Sequence, residues 1–190
     1  MRSRVSLYQL PPDLPVPVDD DGATDHLVGR EVPELWLDSS DGLVDIAQLG
    51  ADLAVLYVYP ATGTPGRPTP DGWDAIPGAR GCTPQSCAFR DHAAELAELG
   101  ARVAGLSAQP LSAQIEFAER ERMPFPVIAD PDLRLRDALA LPTFEFGGIT
   151  LYKRVTLVLE AGRVSHVFYP VFPPDRNAGD VVAWLETRGR

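Results

Sequence analysis

Leu53-Ala54-Val55-Leu56-Tyr57-Val58-Tyr59 is the stretch on which the reading of this chain turns. It is apolar throughout and rich in β-branched and aromatic residues, which fits a strand buried on both faces. From Pro60 to Gly81 periodicity vanishes. Five prolines (60, 65, 68, 70, 77) and five glycines (63, 66, 72, 78, 81) mark that span as a loop. So long a loop inside a compact domain is uncommon and often functional. Thr83 to Leu99 reads as a helix, with Thr83 as cap, Pro84 at the first position and Gly100 as stop. Its apolar stripe is Phe89, Ala93, Leu96 and Ala97.

Further on, Val103–Ser107 reads as a strand and Leu111–Glu121 as a helix with Ile115 and Ala118 inward. Phe125–Ile128 reads as a strand and Asp132–Leu139 as a short helix. Val155–Leu159 and Val164–Val171, joined by Glu160-Ala161-Gly162, form a hairpin, and Asn177–Thr187 closes the chain as a helix. Upstream, Val32–Leu37 and Leu43–Ile46 flank the turn Asp38–Gly42 as another hairpin. A βαβ unit followed by a ββα unit is the plan of a thioredoxin-like α/β domain. The expected fold is a central mixed sheet flanked by helices, with an N-terminal β-hairpin, over residues 27–190. Residues 1–26 hold a proline-dense run and the acid run Asp19-Asp20-Asp21, and read as an extended or mobile arm, either a solvated tail or a partner-binding segment.

In 190 residues, 17 Lys and Arg stand against 27 Asp and Glu, for a net charge of −10. Length and a hydrophobic fraction of 45% favour one domain with a sizeable core. The acid excess argues against nucleic acid and anionic membrane as partners. No apolar run approaches the roughly 18–20 residues of a membrane span, and no signal peptide is read at the basic start. A cytoplasmic chain is expected.

The cysteines are Cys82 and Cys87. Cys82 lies at a helix start, where unpaired N–H groups and the helix dipole favour thiolate over thiol. Five helical residues rise about 7.5 Å and turn about 500°, leaving the side chains roughly 140° apart. A disulfide between them requires the first turn to unwind. Redox chemistry, metal binding and a bland helical pair are the three readings. Structural zinc needs about four ligands, and His26, His92 and His166 show no ligand spacing.

Gly81-Cys82-Thr83-Pro84-Gln85-Ser86-Cys87-Ala88-Phe89-Arg90-Asp91 resembles the active-site segment of the peroxiredoxins, in the bacterioferritin comigratory protein or Q-type branch. Val32–Leu37, Leu56–Pro60, Gly105–Ser107 and Arg154–Leu159 resemble further family segments, and the likeness runs from about residue 28 to 187. The resemblance implies reduction of hydrogen peroxide and organic hydroperoxides. Cys82 would become a sulfenic acid, Arg154 would stabilise the thiolate and orient the peroxide, and Cys87 would resolve the sulfenic acid as an intramolecular disulfide. A thioredoxin-like dithiol protein would recycle it, with no metal, haem or flavin cofactor, in a monomer or weak dimer.

The chain departs from the family at one place. Tyr59-Pro60-Ala61-Thr62-Gly63-Thr64-Pro65-Gly66 fits the usual approach to the cysteine, but Arg67 stands where the cysteine should be. Residues 67–81 intervene. Either the insertion loops out and Thr64 still reaches Cys82, or the threonine's role has passed to Thr83 or a backbone N–H. Pro60 and Thr64 remain site candidates on the first account. Arg80 is either a second positive charge near Cys82 or a solvent-facing loop arginine, and Trp73 either rims the site or covers apolar surface. Without the family, a surface arginine at a strand start is an equally good reading of Arg154. His92 reads as a solvated helix residue in preference to a pH-sensitive neighbour of Cys87, and Trp36 and Trp184 as core. Two other functions compete: a thiol–disulfide exchange protein, which needs C-x-x-C where this chain has C-x-x-x-x-C, and a non-catalytic binding or chaperone domain.

Overall fold

A computed structural model describes residues 6–18 and 22–188. Residues 1–5 and the acid run at 19–21 lie outside the described residues. The strands are β1 (Trp36–Ser39), β2 (Gly42–Asp45), β3 (Ala54–Val58), β4 (Arg102–Ser107), β5 (Val127–Ala129), β6 (Thr143–Phe146), β7 (Ile149–Tyr152), β8 (Val155–Glu160) and β9 (Arg163–Phe168). The helices are α1 (Ile46–Leu49), α2 (Cys82–Asp91), α3 (Ala93–Glu98), α4 (Leu111–Glu121), α5 (Arg134–Leu139) and α6 (Asn177–Arg188). Seven strands form one mixed sheet in the order β2-β1-β5-β4-β3-β8-β9, with β3, β4 and β5 parallel. β6 and β7 pair as a separate hairpin.

The β3 run has covered layers on both faces. Val55, Tyr57 and Tyr59 pack with Phe89, Leu96, Phe117 and Val181 from the helices of one face. Ala54, Leu56 and Val58 pack on the other face with Ile46, Leu135 and Leu139. With both faces covered, every residue of β3 is buried, and periodicity disappears from the sequence.

Several expectations change. The first strand begins at Trp36, four residues after Val32, and Ile46 opens α1, capped by the Asp45 side chain on Ala47 N. The long helix is two, bent at His92, where ψ is 3°. α2 packs on α6 and the Pro174–Arg176 turn while α3 packs on β4, so the bend serves different neighbours. Thr83 does not cap α2; Gly81 occupies the N-cap. In α4 the inward residues are Gln114, Phe117, Ala118 and Glu121, and Ile115 is exposed. Ala97 is also exposed. Trp36 is 55% exposed because β1 is a short strand near the sheet edge. The β6–β7 hairpin, not foreseen, stands beside the loop at 60–81.

The N-terminal segment is also not a solvated tail over its described residues. A Cβ added at Gly63 would overlap Leu7, and one at Gly81 would meet Leu10 at 2.8 Å. The arm therefore lies on the loop around Cys82, seated where side chains are missing. Among the described residues no helix is long and apolar enough to cross a membrane.

Candidate active site

Cys82 is the first residue of α2 and is 3% exposed. Gly81 takes a left-handed conformation, φ 102°, to turn the loop into the helix. Leu10 and Pro174 crowd the space where its side chain would be. Gly81 supplies no side-chain cap, so the first turn presents its N–H groups and positive dipole end to the region of the sulfur.

Arg154 immediately precedes β8 and is 3% exposed, which excludes the surface-arginine reading. Its Nη2 lies 3.2 Å from Cys82 Sγ. The same nitrogen donates to the carbonyls of Gly78, Ala79 and Arg80 at 3.1, 3.3 and 3.1 Å. Its Nη1 donates to Gln85 Oε1. Among the described residues Arg154 forms no ion pair with a carboxylate. A buried guanidinium requires compensation, and three carbonyls, the Gln85 amide oxygen and the Cys82 sulfur supply it. Sγ also lies 3.5 Å from the Ala79 carbonyl.

Behind Arg154 runs a buried amide chain that sequence reasoning missed. Gln85 Nε2 donates to Asn177 Oδ1 at 2.9 Å, and Thr156 Oγ1 donates to the same oxygen at 2.7 Å. This fixes the orientation of the Gln85 amide, so that its oxygen faces Arg154. Gln85 on the buried side of a helix start was the available signal. Asn177 reads in sequence only as a residue at a helix start.

Cys87 lies on the same intact helix, half-buried, and both thiols are free. Its surroundings are anionic. Sγ lies 3.6 Å from Glu121 Oε2. Burial foremost, and the Glu121 carboxylate, push its thiol up to about 11, with Arg90 pulling the other way.

The insertion does not deliver Arg80 to the sulfur. Arg80 is 7% exposed, donates to Thr69 Oγ1 and pairs with Asp74 at 3.3 Å. It is neither a second charge on Cys82 nor solvent-facing. Trp73 covers apolar surface, packing with Ala79 and Leu151 and meeting Phe146 edge-on at 5.0 Å between ring centres. Pro60 is buried at the end of β3, and Thr64 is exposed. Among the described residues Thr64 makes no hydrogen bond to Cys82. It lines a cleft of about 390 Å³ whose wall includes Thr69, Trp73, Arg80, Gly81 and Thr83. His92 pairs with Glu95 at 2.7 Å on the surface, and Trp184 is half-buried against His166. Among the described residues no three His, Cys, Asp or Glu side chains cluster as metal ligands.

The Redoxin family model matches residues 27–182. The chloroplastic peroxiredoxin Q of Triticum aestivum is 31% identical over 160 residues, covering 83% of this chain and 66% of that protein. The chloroplastic peroxiredoxin Q of Oryza sativa subsp. japonica is 30% identical over 161 residues, covering 84% and 66%. The chain thus spans just under two thirds of the length of these plant relatives. Among solved structures, peroxidoxin BcpB of Mycobacterium tuberculosis superposes with a TM-score of 0.68 at 28% identity, covering 85% of this chain and 97% of the other. A Xanthomonas campestris peroxiredoxin Q structure gives 0.67 at 23% identity, covering 88% and 100%, a likeness of fold.

Proposed function

Because the chain belongs to the Redoxin family, on its peroxiredoxin Q branch, we propose that it is a thiol-dependent peroxidase in which Cys82 attacks the peroxide. The carrying observation is the buried Arg154 guanidinium 3.2 Å from Cys82 Sγ at the start of α2. A permanent cation with several donors stabilises the thiolate and the charge developing on the peroxide oxygens. The sulfur takes one oxygen to become sulfenic acid, and the other leaves as water or alcohol. Cys87 then condenses with the sulfenic acid, releasing water, after the first turns of α2 unwind. A dithiol protein of the thioredoxin type reduces the disulfide. Both cysteines belong to one helix, which supports a monomeric cycle. A reducing compartment, the cytoplasm, suits the free thiols that the cycle starts from. Hydrogen peroxide and organic hydroperoxides are the substrates. Thr64 acts as a lining of the approach cleft, and Pro60 supports the loop leaving β3. The chemistry calls for no metal or organic cofactor.

The test is peroxide consumption driven by a thioredoxin system. Cys82→Ser should abolish it, and Cys87→Ser should remove its dependence on thioredoxin while leaving reaction of Cys82 with peroxide. Normal turnover in Cys82→Ser would overturn the reading.

A further inference from the structure

Glu121 is a charged residue on the inner face of α4, with its side chain 5% exposed. Its two carboxylate oxygens have different partners. Oε1 accepts from Tyr8 Oη at 2.8 Å and from Arg120 Nη1. Oε2 faces Cys87 Sγ at 3.6 Å, with Arg90 Nη1 at 3.5 Å. Arg90 Nη1 also donates to the Glu121 carbonyl at 2.9 Å, tying α2 to the end of α4. Tyr8 belongs to the N-terminal arm, so a segment outside the sheet and helices completes this carboxylate's shell. The charged and titratable groups around Cys87 are Arg90 and Asp91 from its own helix, Glu121 from α4 and Tyr57 from β3, with Arg120 and Tyr8 behind Glu121.

Resting on the reading of Cys87 as the resolving thiol, we propose that Glu121 accepts the Cys87 proton in the resolving step and that Tyr8 is a positioning residue for that carboxylate. Thiolate, not thiol, attacks sulfur. With the thiol held up to about 11, little thiolate exists near neutrality without an acceptor. In the step, the Cys87 S–H proton passes to Glu121 Oε2. The sulfur's electron pair forms the S–S bond to Cys82 while the S–O bond of the sulfenic acid breaks. Hydroxide leaves with that bond's pair, takes up the proton and departs as water. Cys87 sulfur is oxidised and Cys82 sulfur is reduced by the same amount, so the step needs no other oxidant. Oε1, occupied by Tyr8 and Arg120, leaves Oε2 as the oxygen facing the thiol.

Single-turnover kinetics on the full chain test this, with one equivalent of hydrogen peroxide, following loss of dimedone-reactive sulfenic acid and gain of disulfide. Glu121→Gln should slow disulfide formation on the order of a hundredfold at pH 7, within the range of general-base effects. Its rate should then climb nearly tenfold per pH unit, tracking the thiolate fraction, where the wild-type profile is shallow. Tyr8→Phe should give a smaller slowing and an intermediate profile, and Glu121→Asp should recover part of the rate. If Glu121 acts only as a charge that repels thiolate, Glu121→Gln speeds resolution, which overturns the proposal. An unchanged rate and profile in both Glu121→Gln and Tyr8→Phe also overturns it, leaving Cys87 as resolver intact. A wild-type protein that forms no Cys82–Cys87 disulfide overturns both.

Discussion

Cys82 and Cys87 share one helix and meet opposite surroundings. Cys82 faces a buried guanidinium and a helix N-terminus, while Cys87 faces a buried carboxylate and sits in the helix body. Five residues therefore separate a sulfur placed among donors and positive charge from one placed beside an acceptor. Sequence spacing sets the separation, but the difference in chemistry comes from distant partners, Arg154 before β8 and Glu121 at the end of α4. One helix thus carries two thiols in unlike surroundings, as the proposed division into nucleophile and resolver requires.

The largest effect expected on this contrast comes from Arg154→Met. Losing a preorganised donor to developing charge costs roughly a hundred- to thousandfold, so the second-order rate of Cys82 with hydrogen peroxide should fall by that order in stopped-flow measurements. Alkylation of Cys87 in the same variant should hold its rate; a matching fall there would show that the contrast is not local. Next in size is the reactivity of Cys87 itself. In Cys82→Ser protein, iodoacetamide should modify Cys87 at pH 8 on the order of a hundredfold more slowly than a free thiol titrating near 8.5. The rate should climb with pH through about 11. Because the folded-state value is raised above the unfolded one, this group's stabilisation is full below the unfolded value and is lost as pH rises through about 11.

Gln85→Leu should lower the peroxide rate about tenfold, the scale of one hydrogen bond to a charged group. Gln85→Glu, which keeps an acceptor for Arg154, should restore most of it, an outcome that a purely packing role does not give. Gly81→Ala should destabilise by about 1–3 kcal/mol, since it combines a left-handed φ with contact at 2.8 Å to Leu10 and Pro174; denaturant melts read this directly. The smallest effect belongs to His92→Ala, whose pair with Glu95 is exposed and is worth under about 1 kcal/mol.

The sequence carried the parts of this molecule in which neighbours along the chain decide the outcome. β3 was legible because burial on both faces removes alternation, and α4 because its ends coincide with Leu111 and Glu121. The β6–β7 hairpin had a signal, Gly147-Gly148 between Phe144 and Leu151, but each of its strands is only four residues long. Trp36 was misplaced because size and hydrophobicity do not reveal a position near a sheet edge. In the site, Cys82, Cys87 and Arg154 stood out by motif. Arg80 and Glu121 could not, since a charged residue looks solvated until its partners, Asp74 for one and Tyr8 for the other, are placed. The arm was hidden for a related reason: its seat is made by Gly63 and Gly81, where side chains are missing.

The unequal roles of the two sulfurs are tested most directly by trapping the first oxidised cysteine. Reduced wild type and Cys87→Ser are each treated with one equivalent of hydrogen peroxide and then dimedone, and digested for mass spectrometry. The expected result is dimedone on Cys82 in Cys87→Ser and a Cys82–Cys87 disulfide in wild type. Dimedone on Cys87 in wild type, with Cys82 unmodified, would contradict the assignment.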